Sequence, residues 1–147
     1  MKANFNWSLI QNVMKKYFLS VLIAIGCVAG AYAEVGKFQA TSAAYKLYNY
    51  NSRRWSGWSD WTPTNILVVV DYDIDRVTIY SKNIQEYDVY ATDSTGARDS
   101  NGETETFSCV DQDGKRCDIR IRRQYDGAVQ IYVDYSDASL VYNVEPR

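Results

Sequence analysis

Histidine is absent from all 147 residues, and that gap excludes a good deal of chemistry. It removes the commonest general base, the usual serine and cysteine triads, and most zinc sites. Glycine-rich phosphate loops are also missing, and no cofactor is implied. The longest apolar run, Phe18 to Gly30, falls short of the ~18 or more residues that a membrane-crossing helix needs. Cysteine is scarce, with three in the chain, and bases are outnumbered, 16 against 18 acids. An acidic chain is not a general nucleic-acid or membrane-surface binder.

The short apolar run has a meaning of its own. Lys15 and Lys16 precede it, and it closes with Ala31-Tyr32-Ala33: a charged region, an apolar region and an A-x-A cleavage site, the layout of a signal peptide. Residues 1–33 are therefore expected to be a cleavable signal helix. Met14, immediately before Lys15, would start a signal of ordinary length, so residues 1–13 read as an upstream extension. Cys27 after Gly26 offers a rival, a lipid-anchored product, although Ala24 stands where leucine is usual and the A-Y-A site fits well. Export to the periplasm or cell exterior is the expectation, with no membrane span in the mature chain.

Removing residues 1–33 leaves 13 bases and 18 acids, a net charge of −5, in one domain of about 114 residues. It also leaves two cysteines, Cys109 and Cys117, in a compartment where disulfides persist, and their pairing is the default expectation.

From Gly36 onward apolar residues alternate instead of recurring at helical spacing, and Tyr, Val, Ile, Thr and Trp predominate, as on half-buried pleated surfaces. Strands are expected over residues 37–50 with a bend near Ala43-Ala44, then over 55–61, 66–70, 76–81 and 86–91. A polar loop, 92–102, precedes strands at 103–110, 116–122, 129–135 and 140–144. Asp113-Gly114 and Asp126-Gly127 mark hairpins. The fold class is all-β: an antiparallel meander of eight or nine short strands, closed as a small barrel or split into a two-sheet sandwich.

In the first of those hairpins a two-residue turn would put Cys109 opposite Asp118. A three-residue loop with Gly114 left-handed would pair Asp111 with Lys115 and Cys109 with Cys117. The second register lets the sulfurs meet, and it places Phe107, Cys109, Cys117, Ile119 and Ile121 on one face with Asp118, Arg120 and Arg122 on the other. The same loop type at Tyr125-Asp126-Gly127 pairs Ile121 with Ile131 and Ile119 with Val133.

Trp55-Ser56-Gly57-Trp58-Ser59-Asp60-Trp61 is the most conspicuous run. It resembles the Trp-x-x-Trp-x-x-Trp layer of thrombospondin type 1 repeats, whose tryptophans stack against arginines of a neighbouring strand, and Arg120 and Arg122 could serve. The resemblance spans seven residues, and the cysteine-rich continuation is replaced by Thr62-Pro63-Thr64. In an extended strand, spacing three would put Trp55 and Trp61 on one side and Trp58 on the other. The cluster is either core packing or an aromatic platform, with Tyr48 and Tyr50 adjoining. Tyrosines on the remaining strands suit either a wet barrel surface or a recognition surface.

Asp71-x-Asp73-x-Asp75 resembles the opening of a calcium loop, but Arg76 and Lys82 stand where the loop needs glycine and glutamate, so a solvated turn is expected and no metal site. Glu86, Asp88, Asp118 and Asp134 lie on expected strands, and two facing carboxylates could cleave glycosides; surface acids are the simpler reading.

The stretch from Cys109 to Ile121, with Ile131-Tyr-Val-Asp-Tyr135, Val141-Tyr-Asn-Val144, Trp58-Ser-Asp-Trp61 and Val77-Thr-Ile-Tyr-Ser81, resembles small uncharacterised exported domains of gut-dwelling Gram-negative bacteria. That resemblance implies a self-contained domain and carries no activity. The function expected is a non-enzymatic binding module for a small apolar ligand, glycan or peptide, using Trp55, Trp58, Trp61, Tyr48, Tyr50, Arg120 and Arg122 or the barrel interior. The alternative is an interaction or inhibitor protein that docks on another exported protein; a carboxylate-based hydrolase comes third.

Overall fold

The structure is a computed structural model that describes residues 34–147. The expected signal peptide, with Met14 and Cys27, lies outside the described residues. Nine strands follow in order: β1 Val35–Asn49, β2 Arg54–Trp55, β3 Thr62–Asp71, β4 Arg76–Tyr80, β5 Ile84–Asp99, β6 Gly102–Asp111, β7 Arg116–Gln124, β8 Val129–Asp134 and β9 Ala138–Pro146. There is no helix among the described residues.

Eight of these strands form a closed antiparallel barrel. Each of β3 to β9 pairs with its sequence neighbour, and β9 returns to β1 with Phe38 opposite Pro146 and Leu47 opposite Ala138. Closure decides between barrel and sandwich, and it leaves no free edge in the ring. The two-residue β2 pairs with the far end of β1, Trp55 opposite Tyr48.

The interior is a filled core. Val68, Val77, Ile79, Cys109, Ile119, Ile121 and Ile131 are wholly buried, and Phe107, Tyr87, Tyr142 and Val133 nearly so, in one contiguous cluster. An eight-stranded barrel is just wide enough to be filled by its own side chains. The β6–β7–β8 registers are as expected: Cys109 faces Cys117, Ile119 faces Val133 and Ile121 faces Ile131. The Asp111 N–H donates to the Lys115 carbonyl at 2.9 Å, and Gly114 is left-handed, φ 80°. In that conformation glycine escapes the Cβ clash that other residues meet.

Three expectations need correction. The polar stretch 92–102 is not a loop: β5 runs on to Asp99, pairing with β6 after a bulge between Asp93 and Ala97. Thr92, Asp93 and Ala97 to Asn101 are exposed, which accounts for the polar composition of this end of the ladder. The run 55–61 is a strand only at Trp55.

Third, Cys109 and Cys117 are directly opposed but stand as buried free thiols, the Cys109 thiol donating to the Phe107 carbonyl. Asp111 and Lys115 form a hydrogen-bonded pair, and two residues on along each strand the same type recurs. Side chains in such pairs stand further apart than in the alternate type, whereas a disulfide needs Cβ atoms ~3.5–4.5 Å apart. Register parity places the sulfurs on one face without bringing them within bonding distance.

Burial pushes the Cys109 thiol up to about 12, the Cys117 thiol to about 11 and the Tyr87 hydroxyl to about 12. Below about pH 7.5 all three are neutral in both states and add no pH dependence. Above it the unfolded chain loses these protons first, so stability should fall as pH rises towards 12, by up to ~1.4 kcal/mol per pH unit per group. Urea midpoints measured from pH 8 to 11 check this. Iodoacetamide at pH 8 should leave the native thiols unmodified and label both after unfolding without reductant. Labelling that requires reductant would establish a disulfide instead.

Candidate functional site: the outer aromatic face

The site is built where β1 outruns β3. β3 leaves β1 at the Thr62–Ala43 pair, so the far half of β1 would be an open edge. The tryptophan segment covers it by an unusual ladder. The Ser56 N–H donates to the Leu47 carbonyl at 2.8 Å while the Leu47 N–H donates to Ser56 Oγ at 3.0 Å. Ser59 repeats both bonds with Tyr45, at 2.8 and 3.0 Å. Each serine hydroxyl replaces a backbone carbonyl, so the segment advances three residues for every two of β1, from Ser56 opposite Leu47 through Ser59 opposite Tyr45 to Thr62 opposite Ala43.

That ratio explains the Trp-x-x-Trp-x-x-Trp spacing and corrects the expected alternation of faces. Each tryptophan immediately precedes an anchoring residue, and Trp55 and Trp58 share one side, where Lys46 Nζ lies 5.0 and 4.8 Å from their ring centroids. All three indoles are exposed, at 41, 44 and 47%, which settles core against surface. The outer row continues through Tyr48, 5.5 Å edge-on from Trp55, to Tyr50, 5.2 Å further.

Trp58 also meets Tyr132 of β8, with ring centroids 6.3 Å apart. Two strands, β1 and β9, lie between the backbones that carry these rings, so the pair arches over them. The floor is Ala44 opposite Val141, both pointing away from the core yet only 4% and 3% exposed. Beyond the arch, Arg120 lies 4.4 Å over Tyr132 and pairs with Asp134, which also accepts from the Ser139 hydroxyl. Tyr132 donates to Gln130, which in turn donates to Asn143, and Asn143 to Ser42. The outer face is thus pinned by a continuous polar net. An open cleft of about 320 Å³ adjoins it, lined by Tyr90, Arg116, Cys117, Asp118, Asp134, Tyr135 and Ser136.

Of the residues expected here, Tyr48, Tyr50, Trp55, Trp58 and Arg120 come together in one row. Trp61 is exposed but makes no ring or cation contact with that row among the described residues. Arg120 stacks on a tyrosine, and the cation among the indoles is Lys46. Arg122 stands apart, bonded to Asp99 and Thr104. The N–H of Asn101, followed by Arg122, holds the Asp99 carboxyl below its ordinary value. Lys46 and the two serines escaped the sequence reading, and Tyr132 entered it only among the strand tyrosines. Tyr132 was within reach, because pairing Ile121 with Ile131 sets Arg120 opposite Tyr132 on the outer face.

Among the acids, Asp118 and Asp134 face each other across β7 and β8, with Ser108 donating to Asp118. Glu86 and Asp88 pair with Arg76. Asp71 closes its own turn, accepting from the N–H groups of Asp73 and Ile74.

Replacing Ser56 and Ser59 together with alanine should release the segment while the barrel persists. Hydrogen exchange at the Tyr45 and Leu47 amides should accelerate at least tenfold with global stability lowered by only ~1–3 kcal/mol. Unchanged exchange at those two amides would refute the hydroxyl ladder.

Comparisons with protein-family models, curated proteins and solved structures return no match, so the face must be interpreted from its geometry.

Proposed function

We propose that this chain is an exported, non-enzymatic binding module whose outer Trp–Tyr face docks an extended peptide or a segment of another exported protein. The observation that carries the reading is the exposed, braced arch of Trp58 and Tyr132 on a barrel whose interior is filled. A filled interior weighs against an enclosed small ligand, and the closed ring leaves the partner a face instead of an edge.

Trp, Tyr and Arg are the residues that anchor protein interfaces. Here they are held by hydrogen bonds before any partner arrives, which lowers the ordering cost of association. The indoles repeat once per two residues of β1, about 6.7 Å, and alternate side chains of an extended peptide repeat at the same distance. A peptide lying along the ladder would set successive side chains of one face in register with the rings.

Selection from a displayed library of random peptides tests this. The protein should enrich related sequences, and Trp58→Ala, with its barrel amide spectrum intact, should lose them. Failure to enrich any peptide, or enrichment retained in Trp58→Ala, would refute the reading; binding on a glycan array that Trp58→Ala abolishes would replace the peptide with a sugar.

A further inference from the structure

Five aromatics of the barrel already carry a cation from their own chain. Lys46 serves Trp55 and Trp58, Arg120 serves Tyr132, Arg116 lies 5.9 Å over Tyr90, and Lys115 lies 4.8 Å over Tyr135. Tyr48 and Tyr50 have ring partners instead, and Trp61 has neither among the described residues. It is the most exposed of the three indoles, at 47%.

The reason lies in the three-for-two ladder. Lys46 reaches the space between Trp55 and Trp58; one repeat further on, the outward residue of β1 is Ala44, which carries no charge and is covered as the floor of the arch. Charge agrees with the vacancy. Asp60, beside Trp61, is exposed and has no ion pair among the described residues, and residues 34–147 carry net −5. Arg53 and Arg54, exposed and without ion pairs among the described residues, sit at the Trp55 end and repel a cation from there.

We infer that Trp61, with Asp60 beside it, is an open cation-accepting position that receives a lysine or arginine side chain from the docking segment. The inference rests on the proposed docking face and adds the chemistry of one contact. Lys46 is its internal template: an ammonium about 5 Å from an indole, reaching out from a neighbouring extended strand. An exposed cation–π contact contributes ~0.5–1 kcal/mol, so a single side chain binds weakly and confers selectivity within a longer segment.

The test titrates the purified protein with a blocked Gly-Arg-Gly peptide and with the same peptide carrying citrulline, following the indole N–H signals by NMR. The arginine peptide should shift the Trp61 signal and bind about two- to fivefold tighter than citrulline. Asp60→Asn should narrow that preference, and added salt should reduce it. Trp61→Ala should abolish the saturable response, and Trp61→Phe, which keeps a ring, should retain part of it. Equal response to the two peptides, or shifts confined to Trp55 and Trp58, would overturn the inference. Library peptides without Lys or Arg that depend on Trp58 would do the same while leaving the docking face in place; no enrichment at all would remove both.

Discussion

Phe107→Ala should cost the folded state about 3–5 kcal/mol, the largest loss expected from any single truncation here. Phe107 is 2% exposed, faces Ile119 across β7 and Thr92 across β5, and lies 6.0 Å from the Tyr72 ring. The neighbours come from strands locked into a closed ring, so they cannot collapse into the space a lost ring leaves, and the cavity persists. Domains of this size are stable by ~5–15 kcal/mol, so the variant should sit close to the edge of folding. Urea titration should show a lower midpoint at an unchanged slope. A loss under about 1 kcal/mol would mean the ring is not packed in the core.

The second large effect comes from adding a single methyl group. Gly102 is buried at the start of β6, between Asp99 of β5 and Gln124 of β7. A Cβ there would overlap the carbonyl oxygen of Arg123 and lie 2.9 Å from Gln124 Cα. Both obstacles are backbone in a paired strand, and no rotamer change relieves them. Gly102→Ala should therefore cost about 3 kcal/mol or more by overpacking. Gly114→Ala is the control: its φ of 80° strains any side chain, but nothing lies within 4 Å of the added Cβ, and ~1–2 kcal/mol is expected. Equal losses in the two variants, compared by urea unfolding, would remove the argument from space.

Much of the scaffold was legible residue by residue. Period-two alternation through Phe107, Cys109, Ile119 and Ile131 marked the inner face, and the two Asp-Gly turns fixed a register that runs through three strands. Closure was not legible. It joins Phe38 to Pro146, and no local pattern distinguishes a strand pair so far apart from the two faces of a sandwich. The Thr-rich end of β5 read as a loop because its ladder continues past the core, where alternation has nothing apolar to mark.

The site was half legible, for a chemical reason. Spacing three in Trp55, Trp58 and Trp61 suggested alternate faces only if the segment were an ordinary strand. Hydroxyls of Ser56 and Ser59 in place of carbonyls change the step length, and that shows only when the partner strand is visible. Lys46 was missed because its role depends on that altered step. The cysteines teach a related lesson: opposition in register is a weaker statement than bonding distance.

The ring of strands has one more consequence. Because every neighbour in the barrel is also a neighbour in sequence except at one seam, no strand is intrinsically first. The seam brings the start of β1 beside the last residue, with the Arg147 N–H donating to the Lys37 carbonyl at 2.9 Å. The barrel of residues 34–147 could be circularly permuted, residues 34 and 147 joined by a short linker and a new opening cut at the Asp113-Gly114 turn, with every ladder retained. Residues 34 and 147 lie at the opposite mouth from that turn and from the tryptophan segment, so a tether attached at either would leave the aromatic face clear.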